Sequence, residues 1–222
     1  MTQVSAHNPT QMPDKLPAPL ALFPLQSVLF PGGWLRLRVF EPRYLDLIRR
    51  CEADSLPFGV VSLIEGREVR EREGEGFKQE RFHEVGTLAE LVRVERPQPG
   101  FMNICARGTR RFRLSSSECQ PHGLWVGQAE ALLDDPRVSL PGEFGAVAKL
   151  LRSLLHELEA GAASADVPIQ PPYDWDDCSW LANRWCELLP LPDAERQRLM
   201  QLDNPLLRLE LVADQLEGLG IE

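Results

Sequence analysis

At Asp134-Asp135-Pro136 the chain changes its hydrophobic period, and that change limits the folds open to it. Before this point the apolar residues come in short stretches, alternating or continuous, with turn signals between them. After it they return every three or four positions. The first pattern is that of strands and the second that of helices. The chain is therefore expected to be α+β, with about 120 residues of β structure followed by about 80 residues of helix.

Within the β half, Leu20-Ala21-Leu22-Phe23 predicts a strand stopped by Pro24, and Pro31-Gly32-Gly33 a turn. Trp34 to Val39 alternates, with Leu35, Leu37 and Val39 on one face and Arg36 and Arg38 on the other. Glu41-Pro42 opens a helix, because proline at the first helical position gives up an N–H that has no partner there anyway. Tyr44, Leu47, Ile48 and Cys51 follow at helical spacing and give that helix one buried face. Further strands are expected at Phe58–Ile64, Leu88–Val94, Phe101–Ala106, Arg111–Leu114 and Leu124–Leu133. Arg107-Gly108 is one of the turns that separate them. Short strands at this spacing suggest a barrel or sandwich. Glu65 to Glu84 reads as a solvated, charged hairpin loop.

In the helical half, a stripe from Phe144 to Leu158 predicts the first helix, and Gly161 to Pro172 a linker. A second helix is expected from Asp177 to about Leu189, and a third is capped by Asp193. The fourth has a full signature: Asn204 as N-cap, Pro205 at the first position, an apolar face through Leu209, Val212, Ala213 and Leu216, and Gly218 past its end. The expected division is a disordered arm at 1–19, a β-rich domain at 20–135 and a helical bundle at 136–222.

Catalytic motifs are missing. The three lysines, Lys15, Lys78 and Lys149, never follow glycine, so no phosphate-binding loop is present. No Gly-x-Ser-x-Gly elbow occurs. His156-Glu157 begins like a zinc-protease helix, but Ala160 stands where the second histidine would be needed. Ser115-Ser116-Ser117 with His122 has no third partner to activate it. No cofactor or metal is expected, and no small-molecule ligand can be named.

The chain has 24 Lys and Arg against 33 Asp and Glu, a net charge of −9. That balance argues against bulk electrostatic binding to nucleic acid or to anionic membranes. The one basic cluster is Arg107 to Arg113. There Arg110 and Arg111 could contact phosphate with Phe112 stacking on a base, or Arg111 and Arg113 could simply be the outer face of a strand. Trp34, Trp125 and Trp175 are candidate anchors for a partner, since tryptophan is enriched at binding hot spots. Five cysteines without a Cys-x-x-Cys pair, and no signal or membrane-spanning stretch, fit reduced thiols in a cytoplasmic protein.

Four blocks carry a resemblance. They are Leu22-Phe23-Pro24-Leu25 through Phe30-Pro31-Gly32 to Phe40-Glu41-Pro42-Arg43-Tyr44, then Phe58-Gly59-Val60-Val61, Val85-Gly86-Thr87-Leu88-Ala89, and Gly108-x-x-Arg111-Phe112-Arg113-Leu114. In order and spacing they resemble the N-terminal substrate-binding domain of Lon proteases, over about Leu20 to Leu133. The resemblance implies a PUA-like β pseudobarrel with an embedded helix, followed by a C-terminal helical bundle. It also implies a role in recognising polypeptides, while the family's ATPase and Ser–Lys peptidase modules have no counterpart motif in this chain. The expected function is a stand-alone, non-catalytic adaptor or substrate-recognition module whose partner is unfolded polypeptide or a specific protein. An RNA-binding PUA-like module and an uncharacterised hydrolase are the alternatives. Candidate partner-binding residues are Trp34, Trp125, Arg110 and Arg111.

Overall fold

The computed structural model describes residues 16–68, 72–73, 76–77, 80–161 and 167–221. Most of the expected N-terminal arm lies outside the described residues, as does part of the charged hairpin.

The strands are β1 (Leu20–Leu25), β2 (Trp34–Val39), β3 (Phe58–Glu65), β4 (Arg72–Glu73), β5 (Gly76–Phe77), β6 (Arg81–Phe82), β7 (Val85–Gln98), β8 (Phe101–Cys119) and β9 (Trp125–Ala131). Helix α1 (Pro42–Asp54) lies between β2 and β3, and α2 (Gly145–Gly161), α3 (Cys178–Leu188), α4 (Asp193–Gln201) and α5 (Pro205–Gly218) follow the strands. The strands run in the order β1-β9-β8-β7-β3, and β1 pairs again with β3, in parallel, to close the ring. Along these pairings closure leaves no free edge of the kind that invites aggregation. β6 hangs on the end of β3, and β2 on the first half of β8.

Both faces of the wall are apolar. Leu20, Leu22, Val61, Leu88, Phe112 and Leu114 fill the barrel, and glycine at position 59 leaves them room. The opposite face carries Phe23, Phe58, Val60, Ile104 and Val126 against Tyr44, Leu47, Ile48 and Cys51 of α1. Phe23 stacks on Tyr44 with ring centroids 3.9 Å apart. Burial of that helical face is what holds α1 inside the β region, at roughly 1.5–3 kcal/mol per large side chain.

Three sequence expectations need correction. Arg107-Gly108 is not a turn: β8 runs unbroken from Phe101 to Cys119. Gly108 is there because the loop before β2 crosses its backbone. Gly32 N–H donates to Gly108 C=O and Gly108 N–H to Gly33 C=O, both at 2.8 Å, and a Cβ at 108 would meet the Phe30 carbonyl at 2.4 Å. Gly32 makes that crossing with φ of +77°, which a side chain would strain. Second, the stretch expected as a linker contributes Val167 and Ile169 to the core of the helical layer. Third, Asp193 is the first residue of α4 rather than its cap; Pro192 precedes it, and Asp193 pairs with Arg196 at 3.2 Å.

Other signals were met closely. Asp177 caps α3 through Trp180 N–H, and the Asn204 side chain accepts from Leu206 and Leu207 N–H. The helices share one core with Phe30, Val85 and Leu132 of the β region. That shared core, with the Arg111 contacts described next, ties the two halves together. All five cysteines are free thiols. Among the described residues, no helix is long and apolar enough to cross a membrane.

Candidate functional site

β7 and β8 part company at one end of the barrel. Their last pair is Val85 with Arg113, closed by Leu114 N–H to Glu84 C=O at 2.8 Å. Beyond it the chain before β7 swings onto β3 as β6, while β8 continues along β9 to Cys119. A cleft of about 870 Å³ opens between these two banks. This size falls in the usual range for ligand sites, and barrel mouths are a common place for them. One bank carries Phe82 and His83, the other Ser115 to Cys119, and Leu114 and Trp125 line the interior.

A β-bulge sets what that second bank presents. Leu114 lies opposite Ala129, but Ser116 lies opposite Gln128, so Ser115 is the extra residue. The bulge shifts the alternation. Ser117 and Cys119 therefore share a face with Gly127 and Trp125, exposed along the cleft.

The floor is held by a buried polar chain. Trp125 stands edge-on to Phe82, centroids 5.1 Å apart, and its Nε1–H donates to Glu80 Oε2. Glu80 Oε1 accepts from Arg43 Nη2 at 3.3 Å, and Arg43 Nη1 donates to Gly123 C=O at 2.8 Å. Arg43 also lies over the Tyr44 ring at 4.4 Å. Burial works against the Arg43 charge, but Tyr44, Glu41 and Glu80 together hold its pKa above the ordinary value. The Glu-Pro-Arg-Tyr motif thus starts α1 and also anchors Glu80 under the indole. Burial lowers the pKa of His83 and favours the neutral ring.

The four predicted site residues are not gathered in one place. Trp125 is at the cleft, but it is 8% exposed and serves as floor rather than as a free anchor. Trp34 is half-buried on β2, paired opposite Arg107. Arg110 is half-buried and pairs with the exposed Asp134 at 3.1 Å. Arg111 corrects the outward-facing expectation outright. It is 4% exposed and donates to Asp135 at 2.8 Å and to the carbonyls of Met200, Leu202 and Leu133. The helices cover that face of β8, so a residue spaced for solvent sits in a seam. Arg111 is thus held in the seam between β8 and the helices rather than at the surface. Trp175 packs with Tyr173 and Trp180, and Arg152 lies 4.8 Å above its ring. Among the described residues, no three His, Cys, Asp or Glu side chains gather as a metal would need.

Residues 19–218 match the family described as the ATP-dependent protease La (LON) substrate-binding domain. The chain belongs to this family. Its structure is similar to that of a Lon N-terminal domain protein from Xanthomonas campestris, with a TM-score of 0.68 and 33% identity over 88% of this chain and 96% of that one. The N-terminal domain of a Mycobacterium avium complex Lon protease shares the fold, with a TM-score of 0.53 and 20% identity over 88% of this chain and 95% of that one. A Lon protease of Anaeromyxobacter dehalogenans is 25% identical over 207 residues, which are 90% of this chain and 23% of that protein. For the Lon protease of Flavobacterium johnsoniae the matched part is 46% of this chain and 12% of that protein, at 29% identity. The chain therefore spans a small fraction of these Lon proteases. In the sequence, the resemblance rested chiefly on the motifs Phe-Pro-Gly and Phe-Glu-Pro-Arg-Tyr. The cleft escaped sequence reading, because it depends on where β7 leaves β8.

Proposed function

We propose that the chain is a non-catalytic recognition module of the Lon substrate-binding type, and that it takes polypeptide at the barrel-mouth cleft. One observation carries the placement: the cleft is where the otherwise closed wall opens, with Phe82, Leu114 and Trp125 lining it. An apolar floor between polar strand banks suits an extended chain with some apolar side chains. The charges around it favour polypeptide over nucleic acid. Arg81 and Arg113 are balanced by Glu84 and Glu118, and Glu80 by Arg43, so no net positive surface faces a phosphate backbone.

The test is anisotropy with fluorescein-labelled casein, without nucleotide. Saturable binding that leaves the casein intact is expected, weakened by Ser115→Arg, which crowds an exposed cleft position, and unchanged by Trp34→Ala. Casein that stays free up to high micromolar protein, or that binds Ser115→Arg as well as the parent, would remove the reading.

A further inference from the structure

The backbone of both cleft banks is set up to accept a strand. On β8, Gln120 N–H donates to Leu124 C=O at 2.8 Å. The pairs Cys119 with Trp125, Glu118 with Val126 and Ser117 with Gly127 then follow. Hydrogen-bonded and open pairs alternate along an antiparallel ladder. Glu118 therefore spends its N–H and C=O on β9, and Ser117 turns both toward the edge that β7 has left. On β6 the same rule applies. His83 N–H donates to Ser62 C=O at 2.9 Å, so Phe82, the next residue and the partner of Leu63, turns its backbone groups away from β3. Among the described residues no strand pairs with either of these edges.

We infer that the cleft binds its polypeptide by strand addition: an extended segment pairs its backbone with Ser117 of β8 and takes the place beside it that β7 vacates at Val85. This rests on the polypeptide reading above and specifies how the segment is held. Strand addition draws affinity from the main chain and selectivity from alternate side chains. Successive side chains of the segment point to opposite faces. Those on the inner face meet Leu114, Phe82 and Trp125 and are apolar. Those on the outer face meet Arg113 at one end of the open edge and Glu118 at the other. Neither Arg113 nor Glu118 is in an ion pair among the described residues. The favoured occupant is thus a segment of alternating apolar and polar residues, with an acidic side chain toward Arg113 and a basic one toward Glu118. A folded protein hides such a segment in its own sheets, and an unfolded one exposes it.

The experiment uses the full chain and a short peptide alternating valine and threonine between a terminal aspartate and a terminal lysine. Its counterpart is methylated on alternate backbone nitrogens and keeps every side chain. The parent peptide is expected to bind about tenfold more tightly than the methylated one, the worth of one or two backbone hydrogen bonds. Bound peptide is expected to slow amide exchange at Ser117 and Phe82. Ser117→Pro, which removes the edge donor but no bond to β9, should weaken the parent peptide, while Ser117→Ala should not. If both peptides bind equally and the Ser117 amide exchanges unchanged, strand addition is overturned, while casein binding that Ser115→Arg still weakens keeps the cleft reading. If casein does not bind at all, the underlying reading falls with it.

Discussion

Asp135 and Glu187 both lie where the helices meet the barrel, and their surroundings move their pKa values in opposite directions. Burial pushes the Asp135 carboxyl up, but two arginines and a hydroxyl outweigh it and leave its pKa below the usual value. Arg208 and Ser179 each donate to Oδ2 at 2.6 Å, and Arg111 donates to Oδ1 at 2.8 Å. Among the described residues Glu187 has one such donor, Arg184 at 2.9 Å. Burial pushes Glu187 up to about 7, and Arg184 only partly offsets it. Arg184 is itself poorly served: among the described residues its Nε has no partner, and burial and Arg107 both work against its charge. The comparison teaches that a buried carboxylate stays ionised according to how many donors converge on it. One arginine is too few when that arginine is buried and strained for partners itself.

The largest expected effect follows from breaking the better-served site. Asp135→Ala leaves Arg111 and Arg208, 4% and 1% exposed, as neighbouring buried cations without their shared carboxylate. Removing one member of a buried charged cluster typically costs about 3–5 kcal/mol. Urea unfolding should show a loss of that size, and Asp135→Asn should recover part of it through hydrogen bonds to Ser179 and Arg208. A loss below about 1 kcal/mol would mean that the seam contributes little to stability.

The two carboxylates should also be separable by pH. A carboxyl whose folded pKa is lowered adds stability above its unfolded pKa, near 3.9, and that stability is lost as pH falls through the folded value. Asp135 therefore contributes to acid unfolding. A carboxyl whose folded pKa is raised does the reverse. Between about pH 4 and 7 the folded state holds a proton on Glu187 that the unfolded state has released, so stability declines as pH rises across that window. The decline attributable to Glu187 is at most roughly 3–4 kcal/mol. Glu187→Gln should flatten the stability–pH curve there without steepening it below pH 4. An unchanged slope would show that Arg184 compensates the carboxylate fully.

The same contrast shows what the sequence could reveal. Local signals were legible: the alternation of β2, the Glu41-Pro42 helix start and the Asn204 cap each depend on residues a few positions apart. So were the family motifs and the α+β class. Arg111 was not, because alternation tells which residues share a face and not what covers that face. In β8 the covering layer arrives about 90 positions later in the chain, at Met200 and Leu202. Gly108 misled for a related reason: a glycine that admits a crossing backbone has the same letter as one that turns. The cleft was hidden twice over, by the point where β7 leaves β8 and by the bulge at Ser115, which reversed the faces of the residues after it.

The smallest effect tests the limit of the comparison. Arg81 and Glu65 lie 2.8 Å apart, at a distance like those around Asp135, but their side chains are 62% and 59% exposed. Water solvates both partners whether or not they touch, so little desolvation is left for the pair to repay, and ordering two long side chains offsets part of the Coulomb gain. Exposed pairs of this kind are worth about 0.2–1 kcal/mol. Arg81→Gln should shift the urea midpoint only slightly, and 0.5 M salt, a screening condition, should erase even that difference. The Asp135 effect should survive the same salt, because ions do not reach the seam. If Arg81→Gln cost as much as Asp135→Ala, the distance between charges would matter more than the number of donors and the exclusion of water, and the contrast between Asp135 and Glu187 would need another cause.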